Sequence, residues 1–206
     1  MIYDISMLLH EDMQTYKHSK TNKPVFRTNS DHQKGHVHDT SVTLNLHTGT
    51  HIDYPLHMIK NGDASDTERL APLIGEAKVL DFTDLEDHIS KVDLLKHDIK
   101  KNDFLLFKTK SSYSENFLDD FVYLNEEASI YLREIGIRGV GTDALGIERS
   151  QKNHPTHKTL LSNGIIILEG LRLKEIIEGT YQLIFLPLKL KNTEAALGRA
   201  VLIDDK

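Results

Sequence analysis

The chain has 206 residues, 39% hydrophobic content and a formal net charge of −6. That length supports one sizeable core and a single domain over residues 1–206. Lys and Arg are dispersed, which argues against a nucleic-acid partner, because phosphate binding needs a basic patch. There are no cysteines, so any bound metal must be held by His and carboxylate, and twelve histidines are the first hint of such chemistry.

The opening Met-Ile-Tyr-Asp-Ile-Ser has no basic region followed by a long apolar run, so no signal peptide is expected. No stretch approaches the roughly 20 apolar residues of a membrane helix. The expected location is the cytoplasm, away from membranes. Strand-like runs rich in Val, Ile, Leu, Phe and Thr are predicted at Ile2–Met7, Val42–His47, Ala77–Phe82 and Phe104–Thr109. Others are predicted at Gly139–Thr142, Ile165–Glu169, Tyr181–Leu190 and Ala200–Ile203. Residues 10–40 are polar and weakly patterned and read as a lid or an interface arm.

Between Phe82 and Lys101, Leu85, Ile89, Val92 and Leu95 suggest a broken helical segment. The best helix is expected over Glu126–Ile135, with Asn125 as N-cap and Gly136 as a C-terminal stop. A shorter helix is expected after Gly170, through Leu173, Ile176 and Ile177. Strands and helices mix without strict alternation. That favours an α/β domain with a mixed sheet or a partly closed barrel.

Residues 41–58 alternate with period two. Val42, Leu44, Leu46, Ile52, Tyr54, Leu56 and Met58 take even positions, while His47, His51, Asp53 and His57 take odd ones. In an extended chain the two sets point to opposite faces, so the even face is expected in the core. A strand rises about 3.3 Å per residue, so a straight His47–His57 would span roughly 33 Å, too far for one site. The chain must therefore fold back at Thr48-Gly49-Thr50, bringing His47 beside His51 and Asp53. Pro55 forces Tyr54 to be extended and can turn His57 back toward the others. Gly49 and its two flanking threonines argue against a His-Glu-x-x-His type of helix. A single strand histidine is most simply a solvated side chain, but three with an aspartate on one face point to a metal. Such ligands suit Zn²⁺ or Mn²⁺.

A second polar cluster, His154-Pro-Thr-His157, precedes an apolar strand that ends in Glu169. A carboxylate there needs a partner, either a salt bridge or a metal.

The string HTGTHIDYPLH resembles the His-x-Gly-Thr-His-x-Asp-x-Pro-x-His signature of the cyclase family of metal hydrolases, matching at seven fixed positions in eleven. Kynurenine formamidases and isatin hydrolases are branches of that family. The likeness extends to Asn102-Asp103-Phe-Leu-Leu-Phe-Lys-Thr109, to Gly139-Val-Gly-Thr-Asp143 and to the twelve-residue separation of His157 and Glu169. The resemblance implies that His47, His51 and Asp53 hold one metal, and that Asp53 bridges to a second held by His157 and Glu169. It makes His57 the general acid/base. It also implies a swivelling β/α/β domain with a barrel-like mixed sheet, assembled as a homodimer or homotetramer. Two departures stand out. Ala144-Leu-Gly-Ile-Glu148 replaces a Pro-Ser-x-Asp stretch, and Tyr16 is the nearest candidate for a substrate-contacting Trp.

The expected function is hydrolysis of a C–N bond (amide, formamide or lactam) in a small, aromatic substrate by metal-activated water. One or two Zn²⁺ ions, or Mn²⁺, would serve. The alternatives are a metal-dependent lyase or cyclase, an ester or lactone hydrolase, and a non-catalytic metal-binding protein.

Overall fold

The computed structural model describes residues 1–33, 35–67 and 69–204. The strands are β1 (Ile2–Asp4), β2 (Val25–Ser30), β3 (Asp39–Thr43), β4 (His51–Asp53), β5 (Ile74–Asp81), β6 (His88–Ile89), β7 (Phe104–Lys108), β8 (Tyr123–Leu124), β9 (Gly139–Thr142), β10 (Ile166–Glu169), β11 (Gly179–Pro187) and β12 (Ala195–Ile203). The helices are α1 (Lys91–Leu94), α2 (Glu126–Ile135) and α3 (Pro155–Leu161). Strands β5, β7, β9 and β10 run parallel, and β11, β12 and β4 close the ring, since β4 pairs with both β10 and β12. The result is a mixed, closed barrel of seven strands with β1 added outside β12. No described helix is long and apolar enough to cross a membrane.

Alternation along each strand divides the apolar residues in two. Ile52, Val79, Phe104, Leu106, Leu168, Leu183, Phe185 and Ala196 form one core with residues of β12. Leu105, Phe107, Val140 and Ile167 point the other way, onto Leu132 of α2 and Leu160 of α3. Gly141 makes room on the first face, because a Cβ there would come within 2.7 Å of Leu106 Cδ2. α2 carries its expected ends: the Asn125 side chain accepts from Ala128 N, and Gly136 closes the helix with φ +79°.

Three expectations are corrected. The segment after Gly170 is not a helix. Its backbone is already engaged by neighbours, with Leu171 N donating to Thr142 O and Arg172 N to Ile5 O. The stretch from Phe82 to Lys101 holds only β6 and the short α1, because Val92 and Leu95 face solvent at 66% and 58% exposure. Finally, the even positions before Gly49 do not face a core. β3 begins at Asp39 and pairs with β2 in a two-stranded ribbon, leaving Val42 exposed. Periodicity distinguishes two faces but does not say whether either is covered.

Candidate metal centre

The site begins at the turn that the spacing demands. Gly49 has φ +78°, and a Cβ there would lie 2.6 Å from Leu9 Cδ2. Thr50 fastens the turn: its hydroxyl donates to Gly170 O at 2.6 Å and accepts from Met7 N at 2.7 Å. β4 then runs antiparallel to β10, with His51 opposite Glu169 and Asp53 opposite Ile167. Ile52 points to the barrel core, so His51, Asp53 and Glu169 share the outer wall.

Six residues singled out by spacing and resemblance are brought together here. His47 Nδ1 lies 3.1 Å from Asp53 Oδ1 and 3.3 Å from His51 Nε2. His51 Nε2 is 3.4 Å from the same Asp53 oxygen and 3.5 Å from Glu169 Oε2. The other Asp53 oxygen is 3.6 Å from His157 Nε2, which is also 3.4 Å from Glu169 Oε1. Asp53 thus turns one oxygen to each half of the cluster. Pro55–His57 forms a 3₁₀ turn that swings His57 back, its ring centroid 4.2 Å from that of His47 and 5.7 Å from that of His157. A ring nitrogen of His57 is within 4.8 Å of ligand-type atoms of His47 and Asp53.

The tautomers follow from outer contacts. His51 Nδ1 is 2.9 Å from Gly49 O, a bond that only an N–H can make, so Nε2 is the nitrogen turned to the cluster and the one whose lone pair a metal would take once its proton is displaced. His47 turns its Nε2 toward Glu194 Oε1 at 3.5 Å. Burial alone would lower the His51 pKa, but Asp53 and Glu169 overcome it and push the imidazole to about 10. His157 is raised well above the ordinary histidine value, its burial outweighed by Asp53, Glu148 and Glu169. Asp53 is held well below the carboxylate range despite burial, through His157, His47 and His51. Glu169 is lowered to about 2, as His157 and His51 outweigh burial and the Asp53 charge. His57 shifts the other way: burial, His47 and His157 lower it, with Asp53 and Glu169 in opposition.

These residues fit a divalent cation. Both Asp53 oxygens are buried and accept no hydrogen bond of good geometry. Carboxylates so placed cost several kcal/mol unless a positive charge compensates them. The donor set is imidazole and carboxylate only, as zinc and manganese accept.

Tyr16 lies beside this cluster, half-buried, with its ring centroid 5.3 Å from Phe117 and 6.4 Å from Phe121. Burial raises its hydroxyl pKa, and the Glu169 and Glu148 charges add to the rise. His36 and His38 are exposed, away from any such constellation. Sequence reasoning missed three contributors. Glu194 carries no signal of its own, and Thr50 stands out only as a fixed position of the signature and part of the turn. Glu148 does carry one, as a carboxylate ending the apolar run Ala144–Ile147, and it is buried against His157.

The model of the Cyclase family, described as "Putative cyclase", matches residues 3–149. A kynurenine formamidase from Bacillus thuringiensis subsp. konkukian is 32% identical, covering 97% of this chain and 95% of its own length. A solved structure described as a potential metal-dependent hydrolase with cyclase activity superposes with a TM-score of 0.94 at 44% identity, covering 100% of this chain and 98% of the other. Isatin hydrolase A from Labrenzia aggregata shares the fold, with a TM-score of 0.86 at 23% identity, covering 98% of this chain and 93% of its own. The chain belongs to the Cyclase family, and it is a metal-dependent hydrolase acting on a small molecule.

Proposed function

We propose that this protein is a Zn²⁺-dependent amidohydrolase of the arylformamidase type, cleaving the C–N bond of an N-formyl aromatic amine. The observation that carries this reading is Asp53, whose two buried oxygens face separate imidazole groups, with His57 set at their edge. His47, His51 and Asp53 would hold one ion, and Asp53, His157 and Glu169 a second. Mn²⁺ suits the same donors. Such an ion acidifies a bound water and polarises a carbonyl.

The chain's own part is to move the proton. His57 has a lowered pKa, so at neutral pH it is an uncharged base. It takes a proton from the attacking water and returns it to the leaving amine, so that amide and water become acid and amine. Tyr16, half-buried against the core side chains Phe117 and Phe121, is the aromatic group this reading offers to an aryl substrate. The kynurenine formamidase relatives favour a formamide substrate. The test is a hydrolysis screen of N-formylkynurenine, isatin and aryl esters with Zn²⁺ and Mn²⁺. Formate release from the first is expected, and turnover of esters alone would refute the assignment.

The β2–β3 ribbon, which begins within the arm and runs past its end, reads as an interface for a homodimer or homotetramer. A two-stranded ribbon exposed on both faces is marginal alone. With Leu8, Leu186 and Leu188, Phe26 and Val42 line a cleft of about 570 Å³. Light scattering on the purified protein should give twice or four times the 23.5 kDa chain mass, and a monomer would refute this reading.

A further inference from the structure

Glu148 stands outside the proposed ligand set, yet its side chain is only 2% exposed. Four N–H groups meet its carboxylate. His154 Nδ1 is 2.7 Å and His157 Nδ1 3.0 Å from Oε1, while Thr156 N is 2.8 Å and Gln151 Nε2 3.1 Å from Oε2. The two imidazoles share Oε1 unequally: His154 Nδ1 makes the hydrogen bond, whereas His157 Nδ1, at 3.0 Å, does not complete one. Thr156 and His157 both lie in the first turn of α3, so one carboxylate touches the helix backbone and the ring that the helix carries. Gln151 extends the brace to α2, accepting from Glu126 N.

We propose that Glu148 is a positioning residue for the metal centre. Its Oε1 keeps His157 Nδ1 as the N–H and aims Nε2 at Asp53 and Glu169, while its Oε2 docks the start of α3. This rests on the reading of His157 and Glu169 as metal ligands. An imidazole with a carboxylate behind it is fixed in tautomer and direction and is a stronger donor. Loss of such a partner typically weakens metal binding about 10–100-fold. A half-exposed His154 competing for the same oxygen weakens Glu148's hold on His157.

The experiment is a Zn²⁺ competition titration against a chromophoric chelator, together with the visible spectrum of the Co²⁺-loaded protein, on the full chain. Glu148→Gln should bind Zn²⁺ about 10–100-fold more weakly and shift the Co²⁺ bands, with far-UV circular dichroism unchanged. A folded variant with wild-type affinity and spectrum overturns the proposal. If that variant fails to fold, His154→Ala decides, since His154 is 56% exposed in its side chain and its removal leaves Oε1 to His157 alone. Tighter Zn²⁺ binding with a shifted Co²⁺ spectrum supports the proposal, and unchanged or weaker binding overturns it. A wild-type protein that takes up neither Zn²⁺ nor Co²⁺ overturns the metal-centre reading itself, and the proposal with it.

Discussion

Glu169 on β10 stands directly across the sheet from His51 on β4, its Oε2 3.5 Å from the imidazole Nε2. More than a hundred residues separate them in the chain, and the antiparallel register places both on one face. His51→Ala should therefore weaken metal binding and leave Asp53 and Glu169 with one imidazole partner fewer. Elemental analysis is expected to find a clear loss of metal relative to wild type, that of the ion which His47, His51 and Asp53 would hold, with lowered thermal stability. Full metal occupancy in this variant would remove His51 from the ligand set.

His57→Ala should keep the metal but lose turnover. A positioned acid/base contributes about 10²–10⁴-fold, so kcat should fall by that factor with metal content unchanged. Loss of metal in this variant would instead make His57 a ligand, a role its nearness to His47 and Asp53 also allows.

Metal uptake should release protons. At neutral pH the raised pKa values of His51 and His157 keep both imidazoles protonated in the ion-free protein. A metal needs their lone pairs and must displace those protons, so affinity should rise as pH rises toward about 10. Calorimetry in buffers of different ionisation enthalpy would count the protons. A pH-independent affinity would contradict this charge assignment.

Gly49→Ala tests the turn. The positive φ and the 2.6 Å approach to Leu9 both oppose a Cβ. A left-handed non-glycine residue costs about 1–2 kcal/mol, which in a domain of this size lowers Tm by roughly 2–8 °C. Calorimetric melting should show this, with weaker metal binding as His47 shifts.

Asp93 supplies a control far from the centre. It completes a capping box with Ser90 at the start of α1. Hydrogen bonds from Ser90, with Lys96 beside it, lower its pKa from 3.8 to about 2 against the effect of burial. A depressed acid stabilises the fold above its unfolded pKa and loses that contribution as pH falls through its folded pKa. Asp93→Ala should cost about 1 kcal/mol at pH 7. The gap to wild type in urea melts should close between about pH 4 and 2. A constant gap would leave packing alone as its cause.

Much of this protein could be read from the chain itself. The run from His47 to His57 determined which residue types gather, where the chain must turn and which residues share a face. Asn125 and Gly136 marked both ends of α2, because caps are local chemistry. The apolar period in residues 41–46 did not reveal that this strand lies in an exposed ribbon, since burial depends on what packs above it. The helix expected after Gly170 failed because strands distant in sequence supplied its backbone partners. His157 and Glu169 could be joined to the centre only by resemblance. Their own segments contain nothing that states the distance to Asp53. That distance is set by the β4–β10 register and the docking of α3, and so are the lowered pKa of His57 and the hidden role of Glu148. Local pattern determined the ligands and the turn that gathers them, while long-range strand pairing decided what surrounds them, because burial and charge are properties of neighbours.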